Sequence, residues 1–97
     1  MKLTLANKDI KSRLIIGSAQ YPSPEEMKNS IIASGAGIVT VSLRRQNPRE
    51  NDGHDFWDII KSTGCEVLPN TAGCKNAKEA ITTAQMAREI FDTTWVK

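Results

Sequence analysis

A lysine stands where a strand pattern ends. In Thr93-Thr94-Trp95-Val96-Lys97 the run reads as a strand, with Lys97 at its end, on the same side as Trp95 and opposite Val96. A lysine that projects into the mouth of an α/β enzyme loses part of its solvent. Desolvation disfavours the ammonium and leaves an amine able to attack a carbonyl carbon, giving an imine. Spacing alone favours a solvated terminal lysine, because lysines are seldom buried.

The second candidate is the stretch Glu66-Val67-Leu68-Pro69-Asn70-Thr71-Ala72-Gly73-Cys74. It begins as a short apolar strand, stops at Pro69, and opens into a polar loop before a helix at Asn76. Asn70, Thr71 and the Gly73 backbone could hold a phosphate or hydroxyl group; the plain alternative is a loop that satisfies its own backbone. Arg44 and Arg45 follow an earlier strand and could meet an anionic substrate, or stand as a solvated charge pair. His54 has neither a carboxylate partner nor a companion ligand at a telling spacing. Trp57 and Trp95 read as packing residues. Cys74 lacks the basic surroundings of a nucleophile, apart from Lys75.

The elements that must position these groups follow one plan. Residues 3–10 read as a minor hairpin turning at Asn7-Lys8. The run that opens at Arg13 is continuously apolar from Leu14 to Gly17, as in a strand covered on both faces. Ser23-Pro24-Glu25-Glu26 is a helix start with a capping box. Met27, Ile31 and Ile32 form the inward stripe of that helix, and Gly35 stops it. Ile38 to Leu43 is a second strand that places Thr40 and Ser42 on one face and Val39, Val41 and Leu43 on the other. Phe56, Ile59 and Ile60 mark a second helix closed by Gly64, and Glu66 to Leu68 is a third strand. Asn76 caps a third helix with Glu79 in the reciprocal role. Ala80, Ala84, Ala87 and Phe91 line one face of that helix, with Ile81 and Ile90 beside them.

The order is β-α-β-α-β-α-β, in units of roughly 30 residues, close to one-eighth of a (β/α)8 barrel of about 250. The expected fold is therefore the first four strands and three helices of a TIM barrel across residues 1–97, preceded by the hairpin. An open doubly wound sheet competes, though no Gly-x-Gly-x-x-Gly follows the first strand. Four strands do not close a barrel, so the last strand is expected to present an unpaired edge.

Composition excludes several classes. The 97 residues hold 13 basic and 11 acidic side chains, a net +2, with no basic stripe for nucleic acid. No apolar run approaches the roughly 20 residues of a membrane span. A secretory signal is not expected from Met1-Lys2-Leu3-Thr4-Leu5, which has neither a long apolar block nor a cleavage-site pattern. Cys65 and Cys74 show neither zinc nor redox spacing, so no metal site is expected and a reduced cytoplasmic setting fits.

Taken together, Arg13-Leu14-Ile15-Ile16-Gly17-Ser18, Ala33-Ser34-Gly35-Ala36, Ile38-Val39-Thr40-Val41 and Leu43-Arg44-Arg45 resemble thiazole synthase of bacterial thiamine biosynthesis. So do Leu68-Pro69-Asn70-Thr71-Ala72-Gly73-Cys74, Ala87-Arg88-Glu89 and Thr94-Trp95-Val96-Lys97, in unbroken order. The resemblance implies a (β/α)8 barrel that joins 1-deoxy-D-xylulose 5-phosphate, dehydroglycine and sulfur into the thiazole phosphate of thiamine. The sulfur arrives as a thiocarboxylate on a small carrier protein, and a separate enzyme supplies the dehydroglycine. Lys97 falls on the family's imine-forming lysine; Asn70, Thr71, Gly73 and Arg45 are the substrate contacts expected from their place after the strands. No cofactor is implied, and a homo-oligomer is expected at full length.

Two departures stand out. Gly17-Ser18-Ala19-Gln20-Tyr21 replaces the family's usual Gly-Thr-Gly-Lys-Tyr, and the sequence stops where the family continues with Leu-Glu. A polypeptide inactive by itself is expected. The competing readings are another lysine-imine barrel enzyme of aldolase type, and a non-catalytic remnant or module that pairs through its open edge.

Overall fold

The computed structural model describes residues 3–43 and 51–97, with backbone alone for 51–55. Arg44, Arg45 and His54, named above, lie outside what it describes in side-chain detail. Two short strands, β1 (Leu3–Leu5) and β2 (Lys8–Ile10), form an antiparallel hairpin with Leu5 opposite Lys8. The turn is Ala6-Asn7, one residue earlier than Asn7-Lys8. Both turn residues have positive φ (47° and 67°), the pairing that a two-residue type I′ turn requires.

A parallel three-stranded sheet follows, in the order β3 (Ile15–Gly17), β4 (Ile38–Ser42), β5 (Glu66–Asn70). Helix α1 (Pro24–Ser34) links β3 to β4, α2 (Asn51–Ser62) links β4 to β5, and α3 (Ala77–Phe91) follows β5. The chain is thus a mixed α/β protein with a parallel βα array, the coarse architecture that the sequence pattern predicts.

The helix ends follow local chemistry. Ser23 Oγ accepts from the Glu26 N–H at 3.2 Å, Pro24 takes the first helical position, and Gly35 ends α1 at φ 69°. The expected capping box is only half made: the Glu26 side chain has no partner among the described residues. At α3, Asn76 Oδ1 accepts from the Glu79 N–H at 2.9 Å, and Glu79 Oε2 accepts from the Lys75 N–H, one residue before the cap.

The core lies between the sheet and the helices. Met27, Ile31, Val39, Val41, Leu43, Phe56, Trp57, Ile60 and Ala87 form one buried cluster. Trp57 is its aromatic hub, edge-on to Phe56 at 4.8 Å and to Phe91 at 5.5 Å between centroids. Trp57 is therefore a packing residue, as its sequence context indicates.

Several expected burials fail. Leu14 and Ile15 are about half exposed (46% and 53%) because β3 is the sheet edge, with only β4 beside it. Ile32, expected in the inward stripe of α1, is exposed, as is Ile81 beside the α3 stripe; Met27, Ile31 and Ala87 are buried in the core, with Ile90 and Phe91 packed against it.

Strand β5 runs through Pro69 to Asn70 rather than stopping at Leu68. The Glu66 N–H donates to Gly37 O, so even-numbered N–H groups of β5 face β4 and odd-numbered ones face away. Pro69 thus lacks its N–H on the side turned from β4, where no β4–β5 ladder bond is lost.

Residues 93–97, expected as a fourth strand, do not form a regular one. Only Lys97 enters the ladder: its N–H donates to Pro69 O at 2.9 Å, and its carbonyl accepts from the Thr71 N–H at 3.3 Å. These two bonds bracket Asn70 as in a parallel bridge. Two residues earlier, pairing is blocked from both sides. Pro69 has no N–H to offer, and the Trp95 N–H is taken by Thr93 Oγ1 at 3.1 Å.

Candidate functional site at the carboxyl edge of the sheet

In a parallel sheet, residues paired across strands turn their side chains to the same face. Ser42 pairs with Asn70, and Asn70 is bracketed by Lys97, so these three side chains share one face at the carboxyl end of the sheet. Thr40, two residues before Ser42, belongs to the same face. Val39, Val41 and Leu43 take the other and enter the core, so the alternation read in the sequence holds. The polar face borders an open cavity of about 490 Å³, lined among others by Ser18, Gln20, Thr40, Ser42, Asn70 and Lys97.

A hydrogen-bond web fixes this wall. Asn70 Oδ1 accepts from the Ala72 N–H at 3.0 Å, and Asn70 Nδ2 donates to Thr40 Oγ1 at 2.7 Å. Ser18 Oγ donates to Thr40 O at 2.8 Å, and Ser42 Oγ donates to Ala72 O at 3.2 Å. The end of β3, the middle of β4 and the loop after β5 are thereby tied together. That loop is a turn closed by the Cys74 N–H on Thr71 O at 3.1 Å. Gly73, at φ 89°, occupies the third turn position, while Ala72 keeps a negative φ, the combination of a type II turn.

Lys97, Asn70 and Thr71 are brought together at the cavity, whereas Gly73 is exposed and does not line it. Its role is conformational. Asn70 is committed to its own loop and to Thr40, which makes it a support for the wall. Lys97 is exposed, so the desolvation expected of it is absent here: β5 flanks it on one side, and no described residue covers the other. Cys74 Sγ lies 3.4 Å from Thr83 Oγ1, and Cys65 Sγ donates to Ala36 O at 3.2 Å; both are ordinary packing thiols. Trp95 is half-buried beneath Lys8, whose Nζ stands 5.2 Å from the ring centroid and 3.1 Å from Glu66 Oε2. The hairpin therefore lies against the start of β5 and the Trp95 segment, away from the polar end.

Ser18, Gln20, Thr40 and Ser42 also line the cavity and were not expected as site residues. Their signal was present: two hydroxyl residues alternating inside an otherwise apolar strand, and a serine immediately after β3.

A parallel βα array that gathers a lysine, hydroxyls and an amide beyond its strand ends defines an α/β protein with its candidate site where such sheets take small molecules. Residues 4–97 match the family described as Thiazole biosynthesis protein ThiG, and the chain belongs to that family. It is 56% identical over 89 residues to a thiazole synthase of Gluconacetobacter diazotrophicus, covering 92% of this chain and 35% of that protein. A Rhodopseudomonas palustris thiazole synthase is 56% identical over 91 residues, covering 94% of this chain and 35% of the relative. One from Brucella canis is 54% identical over 95 residues, covering 98% of this chain and 37% of the relative. The chain spans somewhat over a third of the length of these relatives.

Among the described residues no helix is long and apolar enough to cross a membrane.

Proposed function

We propose that the protein carrying this chain is a thiazole synthase that builds the thiazole phosphate of thiamine, and that these residues form the early βα units of a TIM barrel. The observation that carries the reading is the placement of Lys97. It sits in register with Ser42 and Asn70, on the polar face at the carboxyl end of a parallel sheet, in a chain of the ThiG family.

The substrates in this reading are 1-deoxy-D-xylulose 5-phosphate, dehydroglycine and the thiocarboxylate of a sulfur-carrier protein, with a separate enzyme supplying dehydroglycine. In the first step the neutral Lys97 amine attacks the ketone carbon. A C–N bond forms, the carbonyl oxygen takes up protons and leaves as water, and an imine remains. The imine draws electrons from the neighbouring C–H, which loses its proton more readily, and the sugar carbon becomes open to rearrangement and sulfur attack. Asn70 and Thr71 shape the wall beside the amine, and Arg45 is the proposed partner for an anionic group of the substrate.

The 97 residues leave Lys97 solvated, so in this reading they do not turn over alone. The complete enzyme is a cytoplasmic homo-oligomer.

Reconstitution tests this. The protein carrying this chain, given the three substrates, yields thiazole phosphate. Cleavage or condensation of simple aldehydes without thiazole formation supports an aldolase-type enzyme instead.

A further inference from the structure

Four hydroxyls on or just after the strands line the cavity, those of Ser18, Thr40, Ser42 and Thr71, and their protons are not equally committed. Ser18 gives its proton to Thr40 O and Ser42 gives its own to Ala72 O. Thr40 Oγ1 differs because it accepts. The Ala72 N–H, the group that meets the Asn70 side chain, can only donate, so the Asn70 atom facing it is Oδ1, and the atom facing Thr40 is Nδ2. Thr40 therefore keeps its proton, with no acceptor among the described residues. An N–H bond received at 2.7 Å also polarises the hydroxyl and strengthens it as a donor. Thr71 lines the cavity too, yet no hydrogen bond fixes its hydroxyl among the described residues. Thr40 is the hydroxyl whose oxygen is held in place and whose proton is left over.

We infer that Thr40 is a ligand-binding residue, a fixed donor to an oxygen (hydroxyl or carbonyl) of the sugar phosphate whose ketone carbon Lys97 engages. This rests on the imine reading proposed above. It assigns to β4 a specificity element: a ligand lacking an oxygen acceptor at that point leaves a polarised hydroxyl unpaired in the cavity, which disfavours it.

The test compares Thr40→Val with Thr40→Ser in the complete protein, using 1-deoxy-D-xylulose 5-phosphate as the probe. Borohydride-trapped adduct on Lys97 is measured against probe concentration. Thr40→Val is expected to raise the half-saturating concentration about tenfold, the effect of one lost hydrogen bond, while Thr40→Ser stays within about threefold of the unsubstituted protein. Should Thr40→Val fail to fold, Thr40→Cys takes its place, with a thiol that is only a weak donor. Unchanged saturation in the valine or cysteine variant overturns the inference, as does an equal loss in Thr40→Ser. If the unsubstituted protein forms no adduct, the imine reading itself falls and the role of Thr40 with it.

Discussion

Lys97 and Asn70 stand opposite each other across a parallel bridge: Lys97 bonds the residues on either side of Asn70, at 2.9 and 3.3 Å. The pairing turns both side chains to one face. The Asn70 side chain, tied to Thr40 and to the Ala72 backbone, holds the wall against which the lysine stands. The position of the amine is thus set by backbone pairing, and the shape of its surroundings by a single amide.

Asn70→Ala is therefore expected to act twice. It leaves the Ala72 N–H and the Thr40 hydroxyl without their partner, at a cost of about 1–3 kcal/mol in urea unfolding. It also loosens the Thr71–Cys74 turn, so adduct formation on Lys97 should fall. A variant as stable as the parent would show that the amide does not hold the wall.

Gly37 precedes β4 beneath the segment that joins the hairpin to β3. A Cβ there would lie 2.5 Å from Ser12 O, 2.9 Å from Ser12 N and 2.6 Å from Ile10 Cγ2. Two of these neighbours are backbone and cannot swing aside. Gly37→Ala should destabilise by about 2 kcal/mol or more, read from the denaturation midpoint.

The half-made capping box at α1 yields a paired expectation. Ser23→Ala removes an acceptor that the Glu26 N–H uses, and should cost about 1 kcal/mol. Glu26→Gln, at a side chain without a bonded partner among the described residues, should cost less than about 0.5 kcal/mol. Equal losses in the two variants would show that the reciprocal bond forms after all.

Gln20 lines the cavity in a left-handed conformation, φ 70°, which L side chains other than Asn and Asp adopt at a steric cost. Gln20→Gly removes that strain and should leave stability unchanged or raise it by up to about 1 kcal/mol. A clear loss of stability would mean that the Gln20 side chain makes a compensating contact.

Much of this arrangement was legible in the residues. Capping residues and glycines located the helices because they act on their own backbone neighbours: Ser23, Gly35, Gly64 and Asn76 stand where their chemistry indicates. The Thr40/Ser42 alternation gave the polar face because strand geometry has a period of two. What escaped depended on contacts between distant segments. The exposure of Leu14 and Ile15 reflects which strand lies at the sheet edge, and the short pairing at 93–97 reflects a proline on the neighbouring strand. Likewise, the commitment of Asn70 to Thr40 needs the β4–β5 register, which no local pattern supplies. Family membership came through longer strings, such as Leu68 to Cys74, whose order exceeds what any fold rule demands.

The most direct measurement is peptide mapping of the complete protein after incubation with 1-deoxy-D-xylulose 5-phosphate and borohydride. Hydride addition to an imine leaves a stable secondary amine, so the sugar phosphate should appear as a mass increment on the peptide containing Lys97, and Lys97→Ala should abolish it. An increment on another lysine, or full thiazole-forming turnover in Lys97→Ala, would contradict the account.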